Sequence, residues 1–184
     1  TNPNEIENNG IDDDKNGYVD DLHGWNFVAN SNLPQDDNSH GTHVAGIIGA
    51  KGDNGIGIVG VNHNVKIVPV KFLDANGSGA NSNGVKTIVY AADIGARAIN
   101  LSWGGGGFSQ ALLDAIVYAK EKGMLELAAA GNESANNERS PSFPANYMVN
   151  NVISVASSED DGDLSGFSNY GHTTVDVVAP GSDV

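Results

Sequence analysis

From residue 24 onward, short apolar runs alternate with segments whose apolar residues recur at helical spacing. The runs cover residues 24–28, 65–72, 98–102, 124–130, 152–156 and 175–179. Several are too continuously apolar for a strand with one wet face, which predicts strands covered on both sides. Between them, Val85, Ile88, Val89 and Ala92 follow the i, i+3, i+4, i+7 stripe of a helix that Gly95 would end. Leu112, Leu113, Ile116 and Ala119 mark a second helix, with Ser109 as its N-cap and Gly123 as its stop. Alternation of strand and helix predicts the α/β class: a mainly parallel, doubly wound sheet whose ligands sit beyond the carboxyl ends of the strands. One residue breaks the pattern. Glu126 falls inside the apolar run Met124–Ala130, where a buried carboxylate is costly unless it is paired, protonated or placed on a bulge.

Residues 1–23 have a different character, polar and acidic with no apolar period, as expected of a loop that needs a ligand to order it. At 184 residues the chain is one domain or most of a larger one. Its 9 Lys+Arg against 23 Asp+Glu give a formal charge of −14, which argues against nucleic acid and anionic membrane surfaces as partners. No apolar run approaches the roughly 18 residues of a membrane span. The absence of cysteine excludes disulfides, thiolate catalysis and zinc–thiolate or iron–sulfur centres, and leaves the compartment open. The opening Thr1-Asn2-Pro3 lacks Met and any signal-peptide pattern, suggesting a cut within something longer.

Five stretches could carry chemistry. Asn38-Ser39-His40-Gly41-Thr42-His43-Val44-Ala45-Gly46 puts an imidazole at a loop-to-helix junction; a satisfied surface or core histidine is the alternative, and zinc is disfavoured because His40 and His43 lack the Glu and spacing of H-E-x-x-H and no third ligand is obvious. The run Ala128-Ala129-Ala130-Gly131-Asn132 ends a strand in an amide that could donate to an oxyanion, or simply form a turn. Two glycine-bearing segments, Asp74–Gly79 and Leu101–Gly107, follow predicted strands and offer backbone that a peptide could pair with. Finally, residues 12–21 read D-x-D-x-N-G-x-x-D-D, with oxygen ligands at alternate positions as in an EF-hand loop. The twelfth position is His23 rather than Glu, so Asp20 or Asp21 would have to close the shell. The candidate calcium ligands are Asp12, Asp14, Asn16, the Tyr18 carbonyl, Asp20 and Asp21; a solvated acidic loop is the alternative.

The stretch Gly55-Ile56-Gly57-Ile58-Val59-Gly60 satisfies G-x-G-x-x-G. A dinucleotide fingerprint follows a strand and opens a helix. This one leads into the strand predicted from Val65, so a nucleotide site is rejected. His23, His63 and His172 are read as surface residues.

Taken together, these stretches resemble the subtilisin-like serine peptidases. The family's H-G-T-H-V-A-G stands unchanged at His40–Gly46, S-x-G-G at Ser102–Gly105, A-A-G-N at Ala129–Asn132, and the S-G-S-G-like edge strand at Gly77–Gly79. Phe143-Pro144-Ala145, Phe167–Gly171 and Asp176–Gly181 also look like family sequence, so the resemblance covers nearly the whole chain. It implies a three-layer α/β fold with helices on both faces of the sheet, incomplete at both ends, with residues 1–184 forming part of a single peptidase domain: an acidic calcium loop over 1–23 and the α/β core over 24–184. By the resemblance His40 is the general base, and Asn132 stabilises the tetrahedral oxyanion; loss of such a donor from an enzyme of this family costs about 3 kcal/mol. Gly77, Ser78, Gly79, Ser102, Trp103 and Gly104 would flank a protein or peptide substrate, with Ala129, Ala130 and Gly131 lining the opposite wall. A second calcium loop is implied at Gly52, Asn54, Ile56 and Ile58.

The family's D-[ST]-G and G-T-S-M-A motifs, which carry the triad Asp and the nucleophile, are absent from these residues. The expectation is therefore a piece of a secreted, calcium-dependent serine endopeptidase, inactive alone and able to self-associate through apolar surface. The alternative is a calcium-stabilised binding module or pseudoenzyme.

Overall fold

The computed structural model describes residues 1–184 and divides into two compact units, Thr1–Thr87 and Ile88–Val184. All six predicted strands and all three predicted helices form, and every strand pairing is parallel.

In the first unit β1 (Trp25–Asn26) pairs with β2 (Val70–Lys71), and α1 spans His40–Gly49. Both strands are much shorter than their apolar runs. On β2 the residue before the ladder is Pro69, which has no N–H to give. On β1 the chain turns at once: Asn26 exchanges backbone hydrogen bonds with Ser31, and its side chain accepts from the N–H groups of Val28 and Ala29. Val65 and Ile67 are therefore left 37% exposed rather than covered. The apolar centre of this unit is Trp25, Phe27 and Phe72, with the Tyr18 ring 4.9 Å from Trp25 and edge-on to Phe27 at 5.4 Å.

The last carbonyls of α1 have partners outside the helix. Val61 N–H donates to Ile47 O and Asn62 N–H to Ile48 O, while Gly60 N–H donates to Ala50 O. Orphan C-terminal carbonyls are thus satisfied by the segment that follows the G-x-G-x-x-G stretch.

Helix α2 (Asn81–Asp93) begins in the first unit and ends in the second. The second unit holds a four-stranded sheet in chain order: β3 (Ala98–Leu101), β4 (Leu125–Ala129), β5 (Val152–Ser158) and β6 (Val177–Pro180). Helix α3 (Gln110–Glu121) connects β3 to β4 and buries Leu112, Ala115, Ile116 and Ala119. Ser109 caps it as the sequence predicts, its hydroxyl accepting from Leu112 N–H at 3.4 Å. Tyr147 steadies the cap, its hydroxyl accepting from Ser109 N–H and donating to Ser109 O.

Burial alternates along β4. Glu126 and Ala128 are fully buried, whereas Leu125 and Leu127 are 46% and 36% exposed. On the same side β6 leaves Val177 48% exposed. Continuous apolar character in these strands therefore does not mean cover on both sides within this unit.

Glu126 has neither of the rescues that would make it cheap. The ladder runs through it without a bulge, pairing Ile99, Glu126 and Val152. Neither carboxylate oxygen has a hydrogen-bond partner, and no cation faces it. Burial alone pushes its pKa up from 4.5 to about 7, so in the folded chain it is a neutral acid through mildly acidic pH.

Candidate active site

His40 is the first residue of α1 and is exposed. The N-cap position, Ser39, sits at φ 79° and makes no side-chain cap bond. Asp36 supplies the cap instead. Its carboxylate accepts from the N–H groups of Asn38, Ser39 and Thr42 and from the Thr42 hydroxyl, at 2.5–3.0 Å. The Thr42 hydroxyl bond, followed by the backbone donors, holds the Asp36 carboxyl well below the usual carboxylate range, and its charge suits a helix N-terminus. Asn38 in turn donates to Ala75 O at 2.8 Å, which ties the approach to His40 to the loop bearing Gly77, Ser78 and Gly79.

That loop is a closed turn rather than an open strand. Asp74 N–H donates to Ser78 O, Gly77 N–H to Asp74 O, and the Asp74 carboxylate accepts from Asn76 and Ser78 N–H. Both backbone groups of Ser78 are engaged within the turn, so they are not available to pair with a peptide in this conformation.

In the second unit the other two segments leave the sheet side by side. Strands β3 and β4 pair in register, Leu101 opposite Ala128. Ser102, Trp103 and Gly104 therefore follow one carboxyl end, and Ala130, Gly131 and Asn132 follow its neighbour, where α/β sheets place their ligands. Ala129 closes β4. A side chain at Gly104 would lie 3.4 Å from the Ser142 hydroxyl and 3.5 Å from Phe143 O. The segment continues into a bridge between Gly106 and Phe143. Asn132 is exposed, and its N–H donates to the Glu133 carboxylate at 3.0 Å.

The acidic opening folds around a residue the D-x-D-x-N spacing does not include. One carboxylate oxygen from each of Glu5, Asp12 and Asp14 lies within 4.8 Å of the others. Glu5 is buried, its Oε1 accepts from the N–H groups of Asp13 and Asp14, and its Oε2 has no hydrogen-bond partner. Burial is the main cause raising the Glu5 pKa, and the charges of Asp21 and Asp14 add to it. Converging carboxylates with a buried, unpartnered oxygen suit a hard cation taking oxygen ligands.

The other candidate ligands divide. Asn16 lies at the cluster, its N–H donating to Asp12 and Asp14 and its amide to Asp14 and Asp21. Asp21 is fully buried and receives the Asn2 and Asn16 amides. Tyr18 N–H donates to the Asn16 side-chain oxygen at 2.8 Å, and its ring faces the Trp25 and Phe27 core. Asp20 turns away, accepting from Asn9 and Gly10 N–H. In the second loop Asn54 Oδ1 accepts from Ile56 N–H in a local turn, with Ile56 and Ile58 76% and 58% exposed and no carboxylate cluster beside them.

Residues 2–184 match the model of the Subtilase family. The chain is a subtilase. It is 48% identical over 164 residues to a thermophilic serine proteinase of Bacillus sp. (strain AK1), covering 89% of this chain and 39% of that protein. Thermitase of Thermoactinomyces vulgaris is 46% identical over 159 residues, covering 86% of this chain and 55% of thermitase. A cell wall-associated protease of Bacillus subtilis (strain 168) is 44% identical over 182 residues, 97% of this chain and 20% of that protein. The crystal structure of a cold adapted subtilisin-like serine proteinase superposes with a TM-score of 0.75 at 36% identity, over 88% of this chain and 55% of that one. This subtilase chain thus has the α/β subtilisin-like fold, and it spans about half or less of these relatives.

Proposed function

We propose that this chain is part of the catalytic domain of a secreted serine endopeptidase, with residues 1–23 as its calcium-binding opening and 24–184 as its α/β core. The observation that carries the reading is family membership across residues 2–184 together with the unbroken motif that starts α1 at His40. In this reading His40 takes the proton of a serine hydroxyl supplied from outside residues 1–184 and returns it to the leaving amine. Asn132 donates its amide to the tetrahedral oxyanion. The carboxyl-end segments 102–104 and 129–131 flank a peptide substrate.

Calcium serves structure rather than chemistry. Glu5, Asp12 and Asp14 would hold it, with the Asn2, Asn16 and Asp21 network behind them, and the positive charge would relieve repulsion among the carboxylates. An extracellular setting supplies calcium at the needed level and agrees with the cell wall association stated in the name of one relative. No helix is long and apolar enough to cross a membrane.

A fluorophosphonate probe tests the reading. It should label the longer natural enzyme, and His40→Ala should abolish labelling and peptide hydrolysis, while residues 1–184 alone stay unlabelled. An unlabelled longer enzyme would point to a non-catalytic calcium-stabilised module.

A further inference from the structure

We infer that Asn169 is a positioning residue for the oxyanion donor, a buried amide that grips the chain on both sides of Asn132. The inference rests on the role proposed for Asn132. Asn169 lies 37 positions away in sequence, in the loop between β5 and β6, and is 1% exposed.

Its bonds bracket one short stretch. Ahead of Asn132, Asn169 N–H donates to Gly131 O at 2.9 Å, and its Nδ2 donates to Ala130 O at 3.3 Å. Beyond Asn132, its Oδ1 accepts from Glu133 N–H at 2.9 Å and Ala135 N–H at 3.0 Å. Nδ2 also donates to the Glu133 carboxylate at 2.8 Å and to Asn137 Oδ1 at 3.0 Å. The Glu133 carboxylate, held there, accepts the N–H of Asn132 itself at 3.0 Å. Every polar atom of the Asn169 side chain is used, and all its partners lie in residues 130–137.

The packing leaves no slack. A Cβ on Gly131 would stand 2.2 Å from Asn169 Nδ2 and 2.7 Å from Glu133 Oε2. Gly131, at φ 122°, lets the chain pass over the amide to reach Asn132. An oxyanion donor is effective only when it is aimed before the reaction, since it then costs no reorganisation as charge develops. Asn132 is exposed and so is not held by packing around its own side chain. The aim must come from its backbone, and Asn169 fixes that backbone.

The test uses the full-length enzyme and a small chromogenic peptide. Asn169→Ala should lower kcat about 10- to 100-fold while changing KM less than about twofold, since ground-state contacts survive. The double variant Asn132→Ala/Asn169→Ala should be no slower than Asn132→Ala alone, because a clamp has no further effect once its donor is gone. Leu112→Ala in α3, matched for loss of thermal stability, should keep kcat. If Asn169→Ala does not fold, Asn169→Asp keeps the shape and the two accepted bonds but sets a second carboxylate against Glu133, and kcat should again fall. In the same full-length enzyme, Asn169→Ala should speed amide exchange at Glu133 and Ala135 at least tenfold relative to the amides of α3.

Unchanged kcat, losses that multiply in the double variant, or equal loss in Leu112→Ala would each overturn the inference, as would unchanged exchange at Glu133 and Ala135. An inactive wild-type enzyme with the exchange effect intact would overturn the peptidase reading instead, leaving the clamp real but without a donor to aim.

Discussion

Asn2 donates its amide to Asp21 Oδ1 at 2.9 Å and to Asp14 Oδ2 at 3.0 Å, and both Asn2 and Asp21 are fully buried. The first residues of the chain are thus sewn into the acidic loop rather than trailing from it. With Glu5 joining Asp12 and Asp14, the whole opening depends on neutralising like charges in one place. Calcium at about a hundred times its dissociation constant would add about 2.7 kcal/mol, or roughly 5–10 °C in Tm for a chain of this size. A chelator should remove that increment, and Glu5→Gln should remove most of it without touching the D-x-D-x-N residues. Calorimetry with and without calcium decides; a Tm indifferent to chelator would exclude a cation role for the cluster.

Glu126 sets a pH dependence of unusual sign for a carboxylate. Its folded pKa, about 7, lies above its ordinary 4.5, so the folded chain holds a proton that the unfolded chain has lost. The associated stability is full below about pH 4.5, falls as pH rises, and is gone above about pH 7, a total of about 3 kcal/mol. Asp36, Asp74 and Glu138 act the other way. Hydrogen bonds from Thr42, Ser78 and Thr173 hold them below their ordinary values, so their stabilisation is present above the carboxylate range and lost as pH falls below it. Urea titrations at pH 5 and pH 8 should show the wild type weaker at pH 8, Glu126→Gln with that difference largely erased, and Glu126→Val the most stable at pH 8. Equal wild-type midpoints at both pH values would refute the assignment.

The strands, the Ser109 cap and the position of His40 at a helix start were legible because each is written in neighbouring residues. Strand length was not, since Pro69 and the Asn26 turn end a ladder that apolar character alone would continue. Glu5 was missed because it stands seven residues before Asp12, outside any ligand spacing, and only the fold of the loop brings it in. Asn169 was missed for the same reason at longer range: nothing in the run Phe167–Gly171 shows that its amide serves residues 130–137. Glu126 was visible as an anomaly, but only the structure shows that neither a bulge nor a cation relieves it.

The exposed apolar side of the second unit's sheet makes self-association an expected outcome to be measured. Leu125 and Leu127 on β4 and Val177 on β6, the two strands that flank β5, are 46%, 36% and 48% exposed on one side of the sheet, and exposed apolar surface of this kind favours association. Sedimentation of residues 1–184 should show mass rising with concentration, and Leu127→Lys should return it to monomer. A wild-type chain that stays monomeric at high concentration would rule this out.

Gly60, the last glycine of the G-x-G-x-x-G stretch, packs against backbone rather than marking a nucleotide. A Cβ there would meet Ala50 N at 2.3 Å, Gly49 Cα at 2.4 Å and Gly49 C at 2.6 Å. None of these atoms can swing aside, because they end α1 and the same contact carries the bond from Gly60 N–H to Ala50 O. Gly60→Ala must therefore push the 60–62 segment off the end of α1 and leave the carbonyls of Ile47 and Ile48 without their donors. A loss of about 2–4 kcal/mol is expected, or roughly 5–15 °C in Tm. Gly55 and Gly57 make the control: their φ values are 68° and 61°, and a Cβ on either meets nothing within 4 Å, so alanine there incurs only backbone strain of about 1–2 kcal/mol. Thermal melts of the three alanine variants should rank Gly60→Ala well below the other two. Equal melting of all three would mean that the end of α1 yields to Gly60→Ala, and that the closeness of this contact has no part in holding the first unit together.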